Sequence, residues 1–258
     1  MRISVRFFAL QRAQTGKRRH QLTLADGADI AAAWEALVAE MPELAPAGPS
    51  VRFARNGVYV STSESLADGD ELAVIPPVAG GAEGASGGGS DAQRYRRIEI
   101  SEAPLDDGLL GELRAAVSTA ADGAVAVFIG QTRESPGTPA PGQEAEARRH
   151  AGQQVAGLSY EAFEPMAISV LESIADEIDD RFGVRRLAIV HRVGDVRVGE
   201  VSVVIATASP HRREAFSACR YAIEELKARA PIWKAERFPD GTVWMGAPAR
   251  TGLADEGI

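Results

Sequence analysis

The chain has 258 residues, 45% of them hydrophobic and 25% charged, a globular composition with enough apolar content for one large core or two smaller ones. Its formal net charge of −8 argues against broad nucleic-acid binding. The single cysteine, Cys219, excludes an internal disulfide and fits a reducing cytoplasm, while no apolar run approaches the ~18 residues of a membrane span.

The start, MRISVRFFALQRAQTG, is too polar and too alternating for a signal peptide. Ile3, Val5 and Phe7 alternate with polar residues and predict a half-buried first strand. A second strand is expected from His20 to Leu24. Asp29 is set to cap a helix through IAAAWEALVAEMPEL, where Ile30, Trp34, Leu37 and Met41 recur at helical spacing. VRFARNGVYV is two short runs around Asn56-Gly57, a strong hairpin signal. Asp68-Gly69 then turns the chain into a strand from Glu71 to Ile75, and Pro76-Pro77 forbids regular pairing beyond it. A mixed sheet over one helix, ending in a Gly-Gly tail, is the order of a ubiquitin-like β-grasp domain. Residues 80–93, GGAEGASGGGSDAQ, have the composition of a flexible linker.

After the linker the reading predicts a strand near Tyr95 to Ile100, a helix near Asp107 to Val117 and a buried strand, AVAVFIG, at 124–130. The Pro- and Gly-rich loop from Arg133 to Gln154 exceeds what a compact domain tolerates without function or disorder. Next come a strand (Val155 to Tyr160), a helix (Pro165 to Phe182), a strand (Arg186 to Val193) and a strand carrying Val201, Val203 and Ile205. The last leads into a long helix with Ser209 as N-cap, Pro210 as first residue, and a core stripe of Phe216, Cys219, Ile223 and Leu226. Cys219 reads as a buried structural thiol. The expected class is α+β, with a β-grasp domain over 1–81, linker 82–93, a larger domain over 94–250 and a tail at 251–258.

Of the 28 basic residues only three are lysines, and two of them, Lys227 and Lys234, flank the helix-ending Pro231. A lysine amine can be tuned to lose its proton whereas arginine cannot, so this placement invites a catalytic reading. Two solvated charges at a helix C-terminus would look the same. Gly80-Gly81 leaves the backbone thin enough to enter a narrow channel, or simply begins the linker. His211 and Arg212 at a helix start could hold an anion, or reflect ordinary first-turn polarity. Arg133 closes the apolar strand, a usual position for a ligand-binding arginine, whereas Arg192 after His191 reads as a solvated strand end. Without CxxC, HExxH, a phosphate loop or a carboxylate cluster, metal catalysis is not expected. His211 and Lys227 lie sixteen residues apart on one helix, roughly 24 Å, and about 160° out of phase. If both serve one site, that site combines two chains of a homodimer.

Residues 1–81, with LADGDELAVIPPVAGG, resemble the small sulfur-carrying subunit of molybdopterin synthase. Residues 94–250 resemble its large catalytic subunit, of hammerhead-like α+β fold, through FIGQTRE, HRVG, ASPHRREAFSACRYAIEELK and PIWKAE. The chain thus looks like a fusion of both. The resemblance implies a terminal glycine, here Gly81, that becomes a thiocarboxylate after adenylylation by an activating enzyme and transfer from a sulfur donor. It implies delivery of that sulfur to cyclic pyranopterin monophosphate, with no permanently bound cofactor and a dimer of the large domain. It carries catalytic roles onto Lys227 and Lys234, and substrate contacts onto Gln131, Thr132, Arg133, His211 and Arg212. One departure matters: Gly81 is followed by a peptide bond to Ala82, so a processing protease must cut after Gly81, or the fused form transfers no sulfur. Two rival readings are a non-catalytic ubiquitin-like scaffold and a different carrier pathway, thiamin or tRNA thiolation.

Overall fold

A computed structural model of the protein describes residues 1–47, 51–76, 94–139 and 142–245. The chain divides into two units, Met1–Pro77 and Val78–Ile258. In the first, β1 (Arg2–Phe7), α1 (Ala9–Thr15) and β2 (Arg19–Thr23) precede α2 (Ile30–Glu40), a 3-10 turn (Pro42–Ala47), β3 (Arg52–Arg55), β4 (Val58–Val60) and β5 (Glu71–Ile75). The sheet order is β2-β1-β5-β3-β4, with β1 parallel to β5 and the other pairs antiparallel. Alternation in β1 puts Ile3, Val5 and Phe7 inside, where they meet Ile30, Ala33 and Leu37 of α2. Asp29 caps α2 through Oδ1, which accepts the Ala32 N–H at 2.8 Å. At the hairpin, Asn56 (φ 52) and Gly57 (φ 84) both take the left-handed conformation that a two-residue turn needs.

One expectation for this unit needs correction. The helix stops at Glu40, because Pro42 disfavours helical geometry in the residue before it. Ala33 joins Ile30, Leu37 and Met41 in the core, and Trp34 packs half-buried against it, edge-on to Phe53. Helix α1 was not foreseen, being seven residues long with no apolar period.

The second unit runs β6 (Tyr95–Ser101), α3 (Asp107–Val117), β7 (Ala124–Gln131), α4 (Glu144–Arg149), β8 (Gly157–Ala162), α5 (Glu164–Phe182), β9 (Arg186–Arg192), β10 (Gly194–Arg197), β11 (Val201–Ser209), α6 (Arg212–Arg229), β12 (Ile232–Phe238) and β13 (Gly241–Met245). Two four-stranded sheets result, ordered β6-β9-β11-β7 and β10-β8-β12-β13. Helices α5 and α6 cover one face of the first sheet, and α3 packs on the alternate residues of β9 and β11. The last turn of α6 is pinned to α5. Arg229 Nη1 donates to both Glu177 oxygens at 2.8 and 2.7 Å, and the Tyr221 hydroxyl donates to Glu177 at 2.5 Å. Burial works to raise the Glu177 carboxyl, but these bonds and the Arg229 charge outweigh it and hold it below the usual range.

Four expectations for the second unit are overturned. AVAVFIG is an edge strand, not a buried one: Val125, Val127 and Ile129 are 36%, 42% and 42% exposed. Ser209 does not cap α6. It still pairs with Ala124 in the sheet, so the helix starts at Arg212 with His211 as N-cap. Phe216 is 65% exposed, and Ala215, Ala218 and Ala222 join Cys219, Ile223 and Leu226 on the inner stripe. Arg192 is buried, its guanidinium donating to Glu200 at 2.8 Å and to the Asp195 carbonyl at 2.9 Å, so it ties a turn rather than ending a solvated strand. Strands β10, β12 and β13 lay outside the expected elements.

Candidate functional site

Strand β7 runs out into Gln131, Thr132 and Arg133, and the turn between β10 and β11 fixes that exit. The Thr132 N–H donates to the Glu200 carbonyl at 3.0 Å, its carbonyl accepts from Gly199 at 2.8 Å, and Gln131 Nε2 donates to the Gly199 carbonyl at 3.3 Å. Gly199 has φ 84, which an L side chain would strain. Thr132 is buried and its Oγ1 has no hydrogen-bond partner among the described residues, while Gln131 and Arg133 are exposed.

Helix α6 brings Lys227 to its last turn, exposed on the single chain. The chain turns through Ala230 and Pro231 into β12, where Lys234 stands half-buried opposite Tyr160 of β8. Two residues on, Glu236 is 3% exposed. Its Oε1 accepts the Gly137 N–H at 2.9 Å, and its Oε2 is buried with no hydrogen-bond partner among the described residues. Gly137 approaches the pair closely: a Cβ there would lie 3.1 Å from Glu236 Oε1 and 3.8 Å from Lys234 Nζ.

These groups share one local field. Burial chiefly lowers the basicity of Lys234. The Glu236 charge opposes that fall, and the positive charges of Lys227 and Arg133 add to it. Burial raises the Glu236 carboxyl, against the pull of the Gly137 N–H, Lys234 and Arg133. Both partners are thus pushed toward their neutral forms, as expected where a pair is taken out of water. The structure brings Arg133, Lys227 and Lys234 together, with Thr132 and Gln131 at the root of the same loop. A lysine of reduced basicity among fixed cations can move a proton or steady a developing oxyanion.

His211 and Arg212 are not part of this cluster within one chain. They stand exposed at the opposite end of α6, lining a surface pocket with Gly123, Pro210 and Arg213. Gly80 and Gly81 lie outside the described residues. Two groups at the lysine site escaped the sequence reading: Glu236, which sits inside the PIWKAE block without being singled out, and Gly137, hidden in the long loop. No helix among the described residues is long and apolar enough to cross a membrane.

The first unit has a β-grasp sheet, and the second is an α+β unit with a lysine-centred cationic cluster. Comparison with known proteins gives the family. The profile described as MoaE protein matches residues 102–229, and that of the ThiS family matches residues 5–81. The chain is 41% identical over 157 residues to the molybdopterin synthase catalytic subunit of Nostoc sp., covering 59% of this chain and 85% of that protein. With the catalytic subunit of Bacillus subtilis it shares 37% identity over 155 residues, 60% of this chain and 88% of the other. Among solved structures, molybdopterin synthase from Staphylococcus aureus aligns with a TM-score of 0.48 at 34% identity, over 61% of this chain and all of that one. The chain belongs to the molybdopterin synthase family, as a fusion of a small-subunit-like domain with a catalytic-subunit-like domain, and is an enzyme of molybdenum cofactor biosynthesis.

Proposed function

We propose that this chain is the precursor of a complete molybdopterin synthase. Cleavage after Gly81 frees a carboxylate, which an activating enzyme adenylylates and a sulfur donor converts to a thiocarboxylate. That terminus delivers sulfur to cyclic pyranopterin monophosphate, and two deliveries build the dithiolene. The observation that carries this reading is the lowered basicity of Lys234 beside Lys227 and Arg133, the arrangement a proton-moving amine needs in a site for an anionic substrate. In this reading Lys227 and Lys234 are catalytic, and Gln131, Thr132, Arg133, His211 and Arg212 contact the substrate, whose cyclic phosphate suits arginines and a helix N-terminus.

The working unit is a homodimer of the larger domain. Strand β7 is a sheet edge that exposes Val125, Val127 and Ile129 in a row, a surface that a monomer would be expected to blunt. Antiparallel pairing of β7 with its copy sets the Ala124 end of one strand beside the Gln131 end of the other. His211 follows Ser209, which pairs with Ala124, so this pairing carries the second copy's His211 and Arg212 toward the first copy's Arg133 and lysines. That removes the distance along α6 which separates them in one chain.

Intact mass spectrometry of the protein from its native cells tests the reading. It should find a fragment ending at Gly81 and, on part of it, the mass gain of oxygen exchanged for sulfur. Incubating a fusion with an uncuttable linker with activating enzyme, ATP and a sulfur donor should give no dithiolene, and adding a separate small domain ending at Gly81 should restore it. Full activity without a new chain end would refute the precursor reading.

A further inference from the structure

The long loop after Arg133 is too long to be without a role, and the structure holds its first part at several points. At the root, the Glu134 carbonyl accepts the Val155 N–H at 2.9 Å. At the far end, Pro139 forms an isolated antiparallel bridge with Met245 of β13. Between these, Gly137 donates its N–H to Glu236 Oε1 at 2.9 Å, which ties the loop to the lysine strand itself. Further along, the loop has an anchor of its own, since the buried His150 ring stacks on Phe238 with centroids 4.5 Å apart.

Lys234 and Glu236 are two residues apart on β12, so they point to the same face of the sheet. Lys234 stands in register between Tyr160 of β8 and Met245 of β13. Gly137 lies over this row: a Cβ built on it would be 3.8 Å from Lys234 Nζ and 3.7 Å from Met245 Sδ. Loop backbone therefore runs beside the amine. Burying a carboxylate is costly unless hydrogen bonds satisfy it, and at Glu236, 3% exposed, the Gly137 N–H offsets part of that cost. A buried acid that gives its hydrogen bond to a loop amide is placed to hold the loop.

We propose that Glu236 is a positioning residue for the segment 134–139: through the Gly137 N–H it holds this strap against Lys234 and closes one side of the amine to water. The proposal rests on the catalytic reading of Lys234 and gives the loop a part in it. Burial is the chief cause of the lowered basicity of Lys234, and the strap supplies some of that burial. An amine screened on one side meets its substrate from the other, with less competition from solvent.

Two substitutions separate the bond from the charge. Glu236→Gln and Glu236→Leu both lose the carboxylate charge, but only glutamine can accept the Gly137 N–H. In the full chain labelled with 15N-glycine, the Gly137 amide is assigned by its disappearance in Gly137→Ala. It should exchange at least about tenfold more slowly than the amide of the exposed Gly142. Glu236→Gln should keep that protection and Glu236→Leu should lose it. Because the chain has only three lysines, 13C-lysine labelling resolves each side chain, with the exposed Lys17 as control. A neutral gadolinium chelate in solution should broaden Lys234 at least about twofold more in Glu236→Leu than in Glu236→Gln. In turnover with separately thiocarboxylated small domain, kcat of Glu236→Leu should lie about tenfold below that of Glu236→Gln, with equal KM for cyclic pyranopterin monophosphate.

Gly137 exchange as fast as that of Gly142 in the parent chain would overturn the proposal. So would equal Lys234 broadening, or equal kcat, in the two variants, the mark of a loop contact with no bearing on the amine. If Glu236→Leu does not fold, the parent chain decides: Lys234 broadened as strongly as Lys17 overturns the proposal, and a protected Gly137 amide with a screened Lys234 upholds it. Full activity of Lys234→Met would instead defeat the catalytic reading, while leaving exchange and broadening free to report the strap.

Discussion

Replacing Lys234 with methionine removes one charge from a pair that burial has drawn together. Glu236 is 3% exposed, and with the ammonium gone only the Gly137 N–H and the Arg133 charge still favour its carboxylate. Breaking one side of such a pair leaves an uncompensated charge. The carboxylate can escape by taking a proton. For an ordinary glutamate, titrating near pH 4.3, this costs roughly 3–4 kcal/mol at pH 7, about 1.4 kcal/mol for each pH unit. Burial already raises Glu236, so the cost falls below that ceiling, and a loss of about 2 kcal/mol is expected. In the variant the folded chain keeps a proton on Glu236 that the unfolded chain gives up. The stability this contributes is complete below the ordinary carboxylate range and is lost as pH rises toward the raised value. The deficit should therefore be full at pH 7 and under about 1 kcal/mol at pH 5. Adding Glu236→Gln removes the stranded charge, so the double variant should regain most of the stability but none of the sulfur transfer. Calorimetry of the parent, single and double variants at both pH values, with dithiolene formation assayed using separately thiocarboxylated small domain, makes the measurement. A single variant as stable as the parent at pH 7, or a double variant no better than the single, would refute the pairing. Full turnover by the double variant would refute the catalytic role of Lys234.

The other predictions are shorter. Lys227 is exposed, so Lys227→Ala should leave the melting temperature unchanged while cutting dithiolene formation by at least about tenfold, close to 1.4 kcal/mol of barrier. Mixing Lys227→Ala chains with His211→Ala chains should restore activity in heterodimers, since one of the two shared sites keeps both groups; silence after confirmed subunit exchange would count against shared sites. Val127 is 42% exposed on the single chain, so Val127→Arg should alter folding stability by less than about 0.5 kcal/mol yet shift sedimentation from dimer to monomer, and a persistent dimer would exclude pairing through β7. Burial pushes the Cys219 thiol up to about 11, so iodoacetamide at pH 8 should label it only on unfolding; labelling of the folded chain at the unfolded rate would contradict its place in the core.

Local signals carried much of the architecture. The alternation of β1, the Asp29 cap and the Asn56-Gly57 turn each depend on a few adjacent residues, and each was legible in the sequence. What depends on neighbours was not. AVAVFIG reads as buried because it is continuously apolar, yet its surroundings are set by strand order, which leaves β7 at an edge. Phe216 keeps helical spacing with Cys219 and Ile223, but Ala215, Ala218 and Ala222 let α6 sit close on the sheet and turn the phenyl ring outward. The lysines stood out by rarity alone. Glu236 could not, since a carboxylate two residues past a lysine is ordinary; its meaning comes from its burial beside Lys234 and its bond to Gly137.

Strand β5 lies at the middle of the first sheet, bonded on one side to β1 in parallel and on the other to β3, and the chain leaves the sheet from its end. A force drawn along that exit is therefore borne by both ladders together, in shear. An edge strand would instead open one bond at a time, like a zipper. Parallel pairing to β1, the first strand of the chain, also means that the two strands bracketing the domain resist the same tug side by side. In the proposed reading the terminus is handed from one enzyme to another, and a carrier used in that way needs an anchor that withstands traction. Such a domain should resist pulling on its C-terminal end with a higher rupture force than pulling on β4, which has a single neighbour.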